Sequence, residues 1–252
     1  AQPCDLWDMA KPAKPKKKPA PKTQAAPRLG LRRRVARLLF RGVVLVVLIA
    51  AFLTLVFKIF NPPTTPYMFS ESRRLGGVSQ EWASLDEIAP VMARSAVAAE
   101  DANFCLHWGL DVKAIEAALD AGGTRGASTI SQQVVKNVFL MQDRSWIRKA
   151  IEALWTPMTE VIWSKRRILE LYLNVAEFGE GVFGVQAGAQ YYFGVDAADL
   201  SALQAARLAA VLPNPKERNA ANPTSYLRKR TKSIMDGAAT IAADGRAGCF
   251  TD

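Results

Sequence analysis

Nineteen residues from Gly42 to Phe60, GVVLVVLIAAFLTLVFKIF, carry a single charge at Lys58. As a helix this run spans about 28 Å, close to one hydrocarbon core. A cleaved signal peptide fits less well: the lead is 41 residues long, the apolar run is too long, and no small-x-small site follows. A buried core helix fits poorly with 16 uncharged residues in succession from Gly42 to Phe57. Asn61-Pro62-Pro63 closes the run and starts a linker. Beyond it the apolar positions recur with helical spacing over 112–121, 128–140, 145–164, 166–176, 200–212 and 226–243, and an Ala-rich stretch without strict alternation covers 88–100. Short β pieces are expected near 67–75. No internal repeat is visible. The pattern predicts a mainly α domain of about 190 residues, large enough for its own core.

Charge changes the picture in one place. The chain carries a net +10, and positions 1–41, with 12 basic residues against Asp5 and Asp8, account for all of it. The remainder is neutral, which argues against a nucleic-acid-binding domain. KPAKPKKKPAPK, Lys11 to Lys22, is too rich in proline and like charge to bury a core and is expected to be disordered. Basic residues stay cytoplasmic, so the tail is expected inside and residues 61–252 outside. The organisation read from this is a basic tail 1–41, a membrane helix 42–60, a linker 61–83 and an outer domain 84–252. Three cysteines are too few for a disulfide scaffold, and no Cys-x-x-Cys pair or His cluster suggests zinc.

Four segments carry chemistry. In AVAAEDANFCLHWGLD, Ala96 to Asp111, an apolar helix delivers Glu100 and Asp101 at its C-terminal end, where the helix dipole disfavours negative charge. Carboxyls there, beside Phe104, His107 and Trp108, gain proton affinity and suit a general base; the plain alternative is a solvated acidic pair. In RGASTISQQVVKN, Gly126 ends a loop and Ser128 or Thr129 can cap the helix. Thr129, Gln133, Lys136 and Asn137 then share one stripe, and Ile130, Val134, Val138 and Met141 another. A polar face beside a helix start suits a phosphate or a sugar, or is merely solvated.

In RSWIRKAIEALWTPMTEVIW, Ile147, Ile151, Leu154, Met158 and Val161 form the expected core stripe. Arg148 and Glu152 stand four apart, either as a weak intrahelical pair or as a phosphate cation with a metal or positioning carboxylate. Pro157 is expected to kink or end this helix. Trp146, Trp155 and Trp163 mark either a membrane-interface face or core. In SKRRILELYLNVAEFGEGVFG, Ile168, Leu169, Tyr172 and Val175 have core spacing, Glu170 can pair with Arg166 or Arg167, and a Gly-rich turn carries Glu177, Glu180 and Phe183.

Taken together, ED-x-x-F-x-x-H-x-G, G-x-ST-I-x-QQ-x-x-KN, RK-x-x-E and K-x-x-ILE-x-YLN, in this order, resemble the family-51 glycosyltransferases that polymerise peptidoglycan from lipid II. The resemblance covers roughly Ser84 to Tyr226, and the anchor points to the monofunctional, membrane-anchored subgroup of Gram-negative bacteria. It departs at Ala127, where the family has a second glycine. No Ser-x-x-Lys or Lys-Thr-Gly is present, and about 60 residues after Ala189 are too few for a transpeptidase domain.

The resemblance implies a mainly helical, lysozyme-like fold with a head and a smaller, membrane-touching jaw that includes residues 138–147. It implies that Glu100 is the general base on the acceptor's 4-hydroxyl, that C1 of the donor is attacked with inversion, and that undecaprenyl diphosphate leaves. Lys136 and Arg148, with Lys149 adjacent, match the cations that neutralise the diphosphate, and Glu152 matches a second carboxylate near it and its divalent Mg²⁺ or Mn²⁺. Thr129, Gln133 and Asn137, with Ser128 and Gln132, match polar lining. Asp101, Phe104 and His107 match shaping residues, and Glu170 and Asn174 structural support. Expected partners are lipid II and the lipid-linked nascent glycan, the membrane, and cell-division or elongation proteins; no nucleic acid is expected. A lysozyme-like lyase or hydrolase and a non-catalytic cell-wall scaffold are the competing readings. In an oxidising periplasm Cys105 and Cys249 are either bonded to one another or two free thiols.

Overall fold

The computed structural model describes residues 30–122, 126, 128–142 and 145–251. The expected disordered tail up to position 29, Cys4, the substituted Ala127 and positions 143–144 of the jaw stretch lie outside the described residues. The chain divides into two units, residues 1–46 and 47–252. In the first, the described part is the opening of helix α1 (Leu31–Phe57), with exposed side chains. This helix begins at Leu31 rather than Gly42, because the arginines before the apolar run are themselves good helix formers. Arg32–Phe57 is long and apolar enough to cross a membrane.

The second unit begins within α1. Thr54, near its end, is fully buried: its hydroxyl accepts from the Trp155 indole (3.2 Å), and its carbonyl from the Trp163 indole (2.7 Å). The segment at 67–75 is not β. Thr65 accepts from Met68 N, Pro66 supplies the first turn, and helix α2 (Pro66–Leu75) follows. A two-residue strand, β1 (Ser79–Gln80), leads to helix α3 (Pro90–Glu100). Helices α4 (Val112–Asp120), α5 (Ile130–Phe139), α6 (Trp146–Ile162) and α7 (Lys165–Val175) come next. The Gly-rich turn forms β2 (Glu177–Gly179) and β3 (Val182–Phe183), with β3 between the other two, parallel to β1 and antiparallel to β2. Helices α8 (Val185–Phe193), α9 (Ala202–Val211), α10 (Ser225–Ala243) and the short α11 (Gly248–Thr251) complete the mainly helical unit.

The core lies where α7 meets α5 and where α3 meets α9 and α10. Ile168, Leu169, Leu171, Tyr172 and Leu173 of α7 are fully buried, as are Ile130 and Val134 of α5. The amide of Asn174 both donates to Ala83 O (2.8 Å) and accepts from Ala83 N (2.9 Å), while Glu170 accepts from Leu85 N (3.1 Å). The two motif residues of α7 thereby fix the segment that feeds α3. Cys105 and Cys249 form a disulfide with Cα atoms 5.7 Å apart, tying α11 to the turn that follows α3.

Helix α6 departs from expectation in the face that it buries. It runs unbroken through Pro157, which removes a single N–H donor, while the hydroxyls of Thr156 and Thr159 bond the carbonyls of Glu152 and Thr156. Most of its expected core stripe faces outward: Ile147, Leu154 and Val161 are 75%, 80% and 76% exposed, Ile151 is exposed as well, and Met158 is half-buried. Glu152, Thr156, Thr159 and Glu160 are buried instead. Of its tryptophans, Trp146 is exposed and Trp163 buried. Met141, placed with the α5 core stripe, lies beyond the end of that helix and is exposed.

Candidate active site

Helix α3 ends at Glu100 because Asp101 leaves the helical conformation and is gripped by both carboxylate oxygens. One pairs with His107 Nε2 (2.8 Å), and the other accepts from Ile130 N, the first residue of α5 (3.0 Å). An anionic side chain at a helix N-terminus is favourably placed. Phe104 is fully buried with its ring edge-on to His107. Lys165, the first residue of α7, donates to His107 O and to Glu160 (2.8 Å each) and lies 4.4 Å from the Phe104 ring centroid, while Ser131 of α5 donates to the same Glu160. The Glu100–His107 and Thr129–Lys136 segments thus lock the end of α3 against the start of α5.

The side chain of Glu100 is 11% exposed. Its Oε2 accepts from Gln133 Nε2 (2.9 Å), while Oε1 is buried with no hydrogen-bond partner. Burial pushes its proton affinity up, against the opposing pull of Gln133, Arg230, Lys136 and Arg218. Glu100, Gly126, Ser128, Gln133, Lys136, Arg218, Tyr226 and Arg230 line one cavity of about 710 Å³. Gln133, Lys136 and Pro213 are shared with a second cavity of about 450 Å³, whose walls include Asn137, Tyr67, Glu177 and Lys216. Burial pushes the Lys136 ammonium down, Arg148 and Lys149 add to that, and Glu152 and Glu100 oppose it.

Thr129 caps α5, donates to Gly109 O and lines a smaller cavity of about 210 Å³ with Glu100, Asp101, Gly126 and Ser128, while Gln132 completes the capping box by accepting from Thr129 N (3.1 Å). Both are buried, because a capping box turns its side chains back on the helix start. Gly109 (φ +82°) sits where a Cβ would come within 2.7 Å of Thr156, so its missing side chain admits the close approach of α6.

On α6, Arg148 Nη1 donates to Glu152 Oε2 (2.7 Å), Lys149 bonds Oε1, and Lys149 also donates to Ser128 Oγ on the rim of the larger cavity (3.0 Å). Both oxygens of the buried Glu152 are thus engaged by cations. With both oxygens paired, Glu152 would meet the expected divalent ion only through the diphosphate, as the resemblance implies, and not as a direct ligand. Asp101, His107 and Asp111 bring ligand atoms within 4.8 Å of one another. All four of their carboxylate oxygens already pair with His107, Ile130 N, Ala114 N or Asn103, so the group is an internal clamp.

Arg218, Tyr226 and Arg230 were not singled out from sequence. They sit more than a hundred residues from Glu100, on a helix and loop whose local pattern is that of an ordinary amphipathic segment.

Comparison with known proteins agrees with the motifs assembled here. Residues 70–239, about two thirds of the chain, match the family model described as Transglycosylase. The chain is 62% identical over 190 residues to a biosynthetic peptidoglycan transglycosylase of Jannaschia sp. (strain CCS1), covering 75% of this chain and 80% of that protein. It is 47% identical over 196 residues to the protein of that name from Rhodospirillum centenum (76% and 85%). Against the one from Xanthomonas oryzae pv. oryzae it is 42% identical over 242 residues (92% and 93%). Every segment that builds the cleft, from the end of α3 to Arg230, falls inside the matched region, and the chain belongs to the transglycosylase family.

Proposed function

We propose that the chain polymerises glycan strands of peptidoglycan from a lipid-linked disaccharide diphosphate, lipid II, in cell-wall biosynthesis. Glu100 takes the proton of the acceptor's 4-hydroxyl, the freed oxygen bonds C1 of the donor, and the C1–oxygen bond to the lipid diphosphate breaks with inversion. The proton ends on Glu100 and the electron pair on the diphosphate. Lys136, with Lys149 and Arg148 beyond it, offsets that charge, which is electrostatic stabilisation of the kind that often dominates. Glu152 holds the two α6 cations in place. A divalent cation bound to the diphosphate would add to the same charge neutralisation beside Glu152, and these ammonium and guanidinium groups are the cations that the chain itself supplies. The observation that carries the reading is a buried, half-satisfied carboxylate lining the same cavity as a buried ammonium. A lyase acting on finished glycan would have no diphosphate for that cluster to meet.

The proposed setting is a single-pass anchor with the tail cytoplasmic and residues 61–252 periplasmic, and without transpeptidase chemistry. The outward apolar face of α6, flanked by Trp146 and joined to the end of α1 through Trp155 and Trp163, is read as resting on the membrane. Full-length protein in detergent with lipid II tests the reading. Polymer should form, and Glu100→Gln should abolish it. Fragments released from finished sacculi, with no polymer from lipid II, would replace polymerase by lyase.

A further inference from the structure

Arg230 of α10 reaches Glu100 within the same cavity. Helix α10 crosses α3 closely enough that a Cβ on Gly237 would stand 3.1 Å from Ala98 Cβ. Two turns earlier on α10, Arg230 Nη2 lies 3.5 Å from Glu100 Oε1 and donates to Ala99 O (3.2 Å). Its Nε is buried without a hydrogen-bond partner, as is the Glu100 oxygen it faces. Arg218 stands behind, held by Ala210 O (2.9 Å) and stacked 5.5 Å from the Tyr226 ring centroid. The groups acting on Glu100 are therefore Gln133 and Lys136 from α5, Arg230 from α10 and Arg218 from the loop before it; the Tyr172 phenol of α7 faces the same charge.

We propose that Arg230, seconded by Arg218, is a positioning residue that keeps Glu100 ionised and aimed into the cleft, so that the base is ready when the acceptor arrives. The two unsatisfied atoms are the sign of this arrangement. The pair is long enough to leave the lone pairs of Glu100 Oε1 unsaturated, yet close enough to oppose the cost of burying its charge. A direct, fully bonded pair would silence the base, and no pair would leave it protonated.

The inference rests on Glu100 being the base, and the test separates the two. Polymerisation of lipid II by the full-length protein in detergent is measured across pH for wild type, Arg230→Gln, Arg230→Lys, Arg218→Gln and Glu100→Gln. Without the guanidinium the carboxyl binds its proton more tightly, so the acid limb moves to higher pH. Arg230→Gln should lose about tenfold more activity at the acid end than at the alkaline end, relative to wild type. Arg230→Lys should return the limb toward its place, and Arg218→Gln should shift it the same way by less. If Arg230→Gln fails to fold, judged by its thermal melt, Arg218→Gln carries the test. A loss equal at every pH, or an unmoved limb, overturns the role of Arg230 while Glu100→Gln remains inactive. An active Glu100→Gln overturns the base itself.

Discussion

Helices α5 and α6 look alike in sequence, each with an apolar stripe and a polar one, yet they bury opposite faces. In α5 the apolar stripe packs on α7, so Ile130 and Val134 are fully buried and Gln133 and Lys136 open onto the cleft. In α6 the polar side turns inward, where Glu152 meets Arg148 and Lys149, and Glu160 meets Ser131 and Lys165, while Leu154 and Val161 face away. Amphipathic spacing reveals that a helix has two faces; which one is buried depends on what the neighbours offer. The neighbour of α5 is a core helix. What α6 meets on α5, on α7 and along its own turns are hydroxyl, ammonium and guanidinium groups, so its carboxylates turn inward and its apolar side stays exposed.

This contrast can be broken at several points. Lys136→Gln removes a cation that lines both cavities and should lower polymerisation by about 10²–10³-fold, the effect of losing a preorganised charge partner. Arg148→Ala, with Lys149 still on Glu152, should cost roughly tenfold to a hundredfold in the same assay. Its melting temperature should fall less than its activity; an equal collapse of both would mean the pair is structural. Ile130→Ala on the buried stripe of α5 should cost about 2–4 kcal/mol in denaturant unfolding. Leu154→Ala on the outward stripe of α6 should stay within about 0.5 kcal/mol, while weakening association of the protein with vesicles. Equal costs at the two sites would erase the distinction between the helices.

The smallest effect concerns stability against pH. The proton affinity of Glu100 is raised by burial, so its contribution to folding is fully present in acid and lost as pH rises through the folded value. Glu100→Gln should therefore melt slightly higher than wild type near neutral pH, with the gain vanishing at acid pH. A lower melting temperature at neutral pH would mean that the surrounding cations outweigh burial.

Much of the site was legible because its residues are local to one another. Glu100 and Asp101 end one helix, Thr129 starts the next, and Lys136 and Gln133 follow at helical spacing, so a stripe argument places them together. The capping role of Gln132 is a local rule that its spacing from Thr129 already contains. Helix α2 was likewise signalled by Thr65-Pro66 and hidden by the aromatic, strand-like composition that follows. The outward face of α6 was not legible, because it depends on Lys165 and Ser131 arriving from other helices. Arg230 was hidden for the same reason. Its place beside Glu100 is set by how closely α10 crosses α3 at Gly237, a tertiary fact that no local pattern expresses.

The central claim is that one buried carboxylate activates a sugar hydroxyl beside cations that receive a departing lipid diphosphate. Single-turnover polymerisation of lipid II by wild type and Glu100→Gln, at saturating substrate, tests it most directly. The account predicts a rate lowered by about 10²–10⁴-fold with substrate binding little changed. A rate within a few-fold of wild type would contradict it.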